Sequence, residues 1–271
     1  MADTAEVNGI RVAYEDDGRR STTARPGTPL VLIHGHPFDR SMWDPQRTAF
    51  RERRRVIVPD LRGYGETTVV PGTTPLSVFA EDLRALLDHL GVERFVLGGL
   101  SMGGQIAMEC LPVFGQRIRG LLLADTFAEP ETEDGVRARR AMADRLSREG
   151  MNGYAAEVLT RMVEPAGPRP EATPHVLRMM RAAPPEGAAA ALRGRALRPD
   201  YRPLLRAVRV PTLVVVGRLD TYTPVRDAES LRALVPDSEL HVIEGAGHLP
   251  NLERPGEFGT ALAGLLWRVD G

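Results

Sequence analysis

Gly99-Leu100-Ser101-Met102-Gly103 sets a serine between two glycines. A serine hydroxyl attacks carbonyl carbon when it stands exposed on a sharp turn and a neighbouring base takes its proton. The flanking residues predict such a turn. Arg94-Phe95-Val96-Leu97-Gly98 is a short apolar run of buried-strand type, and Ile106, Ala107, Cys110 and Leu111 follow at helical spacing. A side chain at position 99 or 103 would collide with the adjoining strand or helix. Taken alone, the pentapeptide also fits a Gly-rich strand-to-helix turn that merely contains a serine. The other reactive residues decide between the two.

Histidine is the side chain suited to act as the base near neutral pH, and a carboxylate is needed to orient it. Six histidines are present: His34, His36, His89, His175, His241 and His248. His89 lies near the end of an amphipathic helix, His175 in a helical insertion and His241 within a strand, all positions that read as structural or exposed. His248 sits in Glu244-Gly245-Ala246-Gly247-His248-Leu249-Pro250, a glycine-rich loop after the last apolar strand, which can carry an imidazole over the sheet edge. Asp220 follows strand residues 212–216 through Gly217-Arg218-Leu219. Parallel strands bring such carboxyl ends together despite their separation in sequence. The chain order Ser101, Asp220, His248 is that of one known triad type, and Asp125, directly after its own strand, is the rival acid.

An attacking serine also needs donors for the oxyanion. The Met102 amide, at the start of the following helix, supplies one. The second is expected from the loop His34-Gly35-His36-Pro37-Phe38-Asp39, with the His36 amide as the choice. His34 and His36 share a strand face and could ligate a metal, but no further Cys, Asp, Glu or His stands at ligand spacing beside them. No metal and no cofactor is expected.

These groups must be held by a sheet. Residues 6–7 and 10–14 flank the hairpin signal Asn8-Gly9, and residues 17–29 read as a loop. Strands are predicted at 30–33, 56–59, 94–98, 118–124, 212–216 and 239–243. Helices are predicted from Pro75 to Leu90, after Ser101, from Val225 to Leu234 and from Pro255 to Val269. Alternation of continuous apolar strands with helices implies a mostly parallel sheet covered on both faces.

Residues 127–205 break that rhythm with no clear strand and many Ala, Arg, Met, Pro and Gly. They read as a helical cap inserted into a core made of residues 1–126 and 206–271. Five of the nine methionines fall in it. They serve either as packing filler or as an adaptable apolar lining. Phe38, Phe127, Met162 and Met179 are the candidate pocket residues. Thirteen arginines lie in the insertion, any of which could meet a substrate carboxylate, and the sequence does not rank them.

Composition narrows the classes. Hydrophobic content of 42% and charged content of 26% suit a globular α/β chain whose 271 residues need no disulfide or metal for a core. The net charge of −1 gives no pull toward nucleic acid or anionic membrane, and every basic residue is arginine. Cys110, the single cysteine, excludes an internal disulfide and reads as a packed core thiol. The acidic start and the lack of any long apolar run suggest neither signal peptide nor membrane span, so a cytoplasmic location is expected.

Several motifs in order now resemble the α/β-hydrolase superfamily. They are His34-Gly35 with Trp43, Asp60-Leu61-Arg62-Gly63-Tyr64-Gly65, Gly99-Leu100-Ser101-Met102-Gly103-Gly104, Gly217-Arg218-Leu219-Asp220 with Pro224, and Gly245-Ala246-Gly247-His248. The resemblance spans nearly the whole chain. Within the superfamily, Ser101-Met102 and Ser41-Met42-Trp43-Asp44 are most similar to small capped esterases, perhydrolases and 3-oxoadipate enol-lactone hydrolases. It implies a mainly parallel eight-stranded sheet with a helical cap. Relatives with an aspartate nucleophile have Asp where this chain has Ser101, so their activities do not transfer. The expected function is a cofactor-independent serine hydrolase of a small carboxylic ester or lactone, with Ser101, Asp220 and His248 as catalytic residues. A lyase, a cofactor-free oxygenase, a biosynthetic cyclase or a ligand-binding protein with a vestigial triad remain open, because fold does not fix function.

Overall fold

The computed structural model describes residues 2–18, 27–164, 167 and 169–271. Asn8 and Gly9 both adopt positive φ, 47° and 75°, the backbone that matches a two-residue turn to strand twist. They join β1 (Asp3–Val7) to β2 (Ile10–Asp17), and β2 then pairs antiparallel with β4 (Arg54–Pro59). The remaining strands run parallel: β3 (Gly27–Ile33), β5 (Phe95–Leu100), β6 (Ile118–Ala124), β7 (Thr212–Gly217) and β8 (Ser238–Ile243). The sheet order is β1-β2-β4-β3-β5-β6-β7-β8. β5 and β7 are buried along their whole length, which accounts for their unbroken apolar character.

Two local expectations need correction. The segment 17–29 was expected to be a loop; residues 19–26 lie outside the described residues, but Asp17 belongs to β2 and β3 starts at Gly27. Backbone pairing extends β3 where apolar patterning does not, since Gly27 lies opposite Arg54 before an irregular step to Leu30. Residues 40–50, unassigned from the sequence, form a 3-10 turn over Arg40–Trp43 and α1 (Asp44–Phe50). Asp39 starts the turn by accepting from the Ser41 amide at 2.8 Å, and Trp43 is driven into the core against Phe258. Elements this short carry no readable periodicity.

The helices between the parallel strands match their apolar spacing. They are α2 (Leu76–His89) and α3 (Met102–Phe114), with Cys110 fully buried on α3. Between β6 and β7 come α4 (Glu133–Glu149), α5 (Met151–Met162), α6 (Ala172–Ala182), α7 (Pro185–Arg195) and α8 (Arg202–Leu205). The chain finishes with α9 (Val225–Leu234), α10 (Pro250–Glu253) and α11 (Pro255–Asp270). No helix among the described residues is long and apolar enough to cross a membrane.

Helix α7 is buried on nearly every side, and its small residues explain how. A Cβ at Gly187 would lie 1.9 Å from the Gly63 carbonyl oxygen, and one at Gly194 would lie 1.6 Å from that of Thr74. Between them the Thr74 amide donates to Ala190 O at 3.0 Å. Gly187→Ala must therefore push α7 off the loop after β4. The expected cost is about 1–3 kcal/mol, as for other overpacked sites, and a fall in melting temperature of roughly 2–10 °C. An unchanged melting curve would show that the two backbones separate freely.

Candidate active site

Ser101 follows β5 and precedes α3, with φ 56° and ψ −116°. Such a conformation is strained for a residue with a Cβ and persists only where its surroundings enforce it. Three hydrogen bonds do so. The Ser101 amide donates to Ala124 O at 2.9 Å, while its carbonyl accepts from Thr126 Oγ1 at 2.8 Å and from the Gln105 amide at 3.2 Å. The glycines fit for steric reasons: a Cβ at Gly99 would meet Gly103 O at 2.1 Å, and one at Gly103 would meet Ile33 O at 2.2 Å. Ser101 is 8% exposed, and its Oγ makes no hydrogen bond among the described residues.

The loops after β7 and β8 bring Asp220 and His248 together, with His248 Nδ1 2.7 Å from Asp220 Oδ2. Asp220 is held as an acceptor on all sides. Oδ1 accepts from the Tyr222 and Thr223 amides at 2.7 and 3.2 Å, and Oδ2 also accepts from the Thr223 hydroxyl. Burial works against its charge, but His248 and the donated hydrogen bonds outweigh it and hold the carboxyl below its ordinary value. The His248 loop is tied down by Glu253, whose Oε1 accepts from the Gly247 and Leu249 amides at 2.9 and 3.2 Å. Its other oxygen accepts from the Glu164 amide at 2.8 Å, which joins the end of α5 to the same loop. The Tyr222 ring lies 5.3 Å from the imidazole, and the Arg161 guanidinium sits over Tyr222 at 3.9 Å.

Asp125 belongs to the same cluster, where one polar atom each of Asp125, Asp220 and His248 lies within 4.8 Å of the others. The 2.7 Å contact between Asp220 and His248 is a hydrogen bond that leaves no space for an ion between those two atoms. Asp125 makes no hydrogen bond to the imidazole. Its Oδ1 accepts from the Gly217 amide at 2.9 Å and its Oδ2 is buried without a partner. Burial, with Asp220 beside it, pushes its pKa well up. The folded state therefore holds a proton that the unfolded chain releases near pH 4, and stability falls as pH rises from there toward the folded pKa. Asparagine keeps the acceptor and carries no charge. Asp125→Asn is thus expected to gain melting temperature relative to the parent as pH rises from 4 to 7, with turnover of the same order. A loss of turnover by orders of magnitude would make Asp125 the orienting acid instead.

The loop after β3 borders the serine. A Cβ at Gly35 would be 3.0 Å from Leu100 O and 3.4 Å from Ser101 Cβ. His34 is fully engaged: Nδ1 contacts Gly35 O at 2.9 Å and Nε2 accepts from the Leu61 amide at 3.0 Å. That leaves it no free nitrogen for a metal. His36 Nδ1 lies 2.8 Å from the Tyr64 hydroxyl, and its Nε2 is buried without a partner. Burial, reinforced by Arg195 and Arg139, lowers its pKa well below the ordinary value, so the ring is neutral. Met102 opens α3, where the first helical amides have no carbonyl one turn back to bind. Asp60 proves to be a loop organiser, accepting from the Arg40 and Glu66 amides, each at 2.8 Å.

The candidate pocket residues divide. Phe38 and Met179 line one cleft of about 450 Å³ beside Arg40, Ser41 and Ala183. Met162 ends α5, just before the Val163–Glu164 backbone that packs on Gly247. Phe127 follows Thr126, and the Arg198 guanidinium covers its ring at 4.7 Å. Of the other histidines, His175 contacts Ser41 at 3.3 Å, while His89 and His241 are exposed.

A family profile described as the alpha/beta hydrolase family matches residues 30–261. The chain belongs to this family. Among curated proteins, this α/β hydrolase is 30% identical over 239 residues to 3-oxoadipate enol-lactonase 1 of Acinetobacter baylyi, covering 88% of each chain. Among solved structures it matches a thermophilic esterase from Thermogutta terrifontis, studied with malate bound, at a TM-score of 0.93 and 39% identity over 100% of both chains. It matches the enol-lactonase from Burkholderia xenovorans LB400 at a TM-score of 0.86 and 26% identity, covering 98% of this chain and 100% of that one. The α/β hydrolase thus has esterases and lactonases as relatives.

Proposed function

We propose that this α/β hydrolase is a serine hydrolase that cleaves a carboxylic ester or lactone of a small molecule through an acyl-enzyme. The observation that carries the proposal is the convergence at one sheet edge. Ser101 stands on a positive-φ turn after β5, and the His248–Asp220 pair, at 2.7 Å, lies on the loops after β8 and β7. The named activities of the relatives support the same substrate classes.

Ser101 Oγ attacks the carbonyl carbon while His248 Nε2 takes its proton. The oxyanion lies between the His36 and Met102 amides, and Asp220 steadies the imidazolium. Collapse breaks the bond to the leaving oxygen, which takes the proton from His248. For a lactone that oxygen stays attached to the acyl group. Water then gives a proton to His248, attacks the acyl carbon and releases the acid, and Ser101 recovers its proton. The serine–imidazole hydrogen bond is expected to form when substrate fills the site, since catalytic hydrogen bonds are often long or misaligned before binding. Residues 127–205 act as the cap over a core of residues 1–126 and 206–271. Phe38, Phe127, Met162 and Met179 are the residues proposed to shape the pocket.

The test uses short p-nitrophenyl esters and small lactones. A burst of nitrophenol equal to the enzyme present, followed by steady turnover, supports the acyl-enzyme. Binding without turnover on every ester and lactone would reject it.

A further inference from the structure

The structure ranks the arginines that the sequence left equal. Arg195, the last residue of α7, is 8% exposed, and its side chain makes one hydrogen bond among the described residues, from Nε to the neutral Oε1 of Gln105 at 3.0 Å. Neither Nη1 nor Nη2 has a partner, and no carboxylate pairs with the guanidinium, among those residues. Arg198 is buried to a similar depth, at 5% exposed, but is paired: its Nη1 lies 2.6 Å from Glu131. Arg139 shares that same acid. Glu131 is therefore already committed to two cations. Burial lowers the pKa of Arg195, and Arg139 and Arg198 add to this. A guanidinium is nevertheless too strong a base to lose its proton near neutrality. What remains is a buried positive charge without a counter-ion, which is costly unless an anion arrives.

Its position ties it to the reacting serine. Gln105 stands one helical turn after Ser101 and donates its amide to the Ser101 carbonyl. Gln105 Nε2 is itself buried without a partner, as is His36 Nε2. The charge of Arg195 acts on His36, Tyr64 and Tyr154, and the Tyr154 ring packs 6.0 Å from that of His36. Unused polar groups thus gather around the loop that borders Ser101.

We propose that Arg195 binds a carboxylate carried by the substrate, so that the preferred esters or lactones are anions with a free carboxylate beside the scissile group. This rests on the hydrolase reading above and adds the substrate class to it.

The test compares p-nitrophenyl hydrogen glutarate with its methyl ester, p-nitrophenyl methyl glutarate. Wild type should favour the anionic ester in kcat/KM. Arg195→Gln should reduce that preference roughly 10–100-fold, the range of a charge-assisted hydrogen bond, with Arg195→Lys intermediate. Calorimetric binding of glutarate to the Ser101→Ala protein reads the site without turnover, and Arg195→Gln in that background should weaken it by a similar factor. Glutarate bound through Arg195 with neither ester cleaved would reject hydrolysis and keep the anion site. Esters cleaved with the same preference in wild type and Arg195→Gln would reject the anion site alone. If Arg195→Gln does not fold, wild type decides: glutarate competing against the neutral ester supports the proposal, and no competition overturns it.

Discussion

Ser101→Ala should lower kcat on every ester and lactone by about 10⁴–10⁶-fold, the scale seen when a serine nucleophile is removed from a working triad. Stability should hardly move. Alanine keeps the Cβ, so the strain of φ 56° is the same in both proteins, and the three hydrogen bonds that fix the turn come from the Ser101 backbone. The lost Oγ has no hydrogen bond to forfeit among the described residues. Single-turnover kinetics and a melting curve measure the two effects separately. A fluorophosphonate should label wild type at Ser101 and leave the variant untouched. Turnover near that of wild type in Ser101→Ala would end the proposal.

The second large effect is expected at the acid. In Asp220→Asn the amide can present its NH2 group to His248 Nδ1, which then accepts, and the ring proton moves to the nitrogen that should act as base. A fall in kcat of about 10⁴-fold is expected. Stability should fall as well, because Asp220 accepts from two amides and a hydroxyl besides His248. Its folded pKa is depressed, so its contribution is fully present above the ordinary value near 4 and is lost as pH drops through the folded one. The melting deficit of Asp220→Asn should therefore be largest near neutrality and shrink below about pH 4. Asp125→Asn follows the opposite pH trend, since that carboxyl is pushed up rather than down. Comparing the two variants over one pH range distinguishes the two neighbouring acids.

What could be read from the sequence was local in origin. The Ser101 turn is specified within a few residues, because glycine is demanded by atoms of the adjoining turn and strand. The Asn8-Gly9 hairpin is equally local. The pairing of Asp220 with His248 was legible because parallel strands deliver their ends to one edge. Partnerships chosen by the tertiary fold were not legible. Glu253 anchors the His248 loop, yet its sequence neighbourhood resembles any short helix end. Arg195 differs from Arg139 and Arg198 in lacking the acid that those two share, and from the exposed arginines of its segment in being buried. The 3-10 turn and α1 were missed for want of length, and the start of β3 for want of apolar residues.

The glycine contacts of α7 also decide which part of the segment between β6 and β7 can yield. At Gly187 and Gly194 backbone rests on backbone, and no side chain can rotate aside to make room. The α5–α6 side is held differently, by buried side chains such as Tyr154, Val158, Met162, Val176 and Met179 and by polar links such as Arg169 to Leu252 O and His175 to Ser41, contacts in which side chains can shift. If residues 127–205 cover the site as proposed, adjustment to a ligand is expected on the α5–α6 side, while α7 stays as a fixed wall. A charged group at the end of that wall is oriented before any ligand arrives, so little ordering entropy is lost at the encounter. The charged end of a ligand would be captured by the rigid side first, and the compliant side would then settle around the remainder.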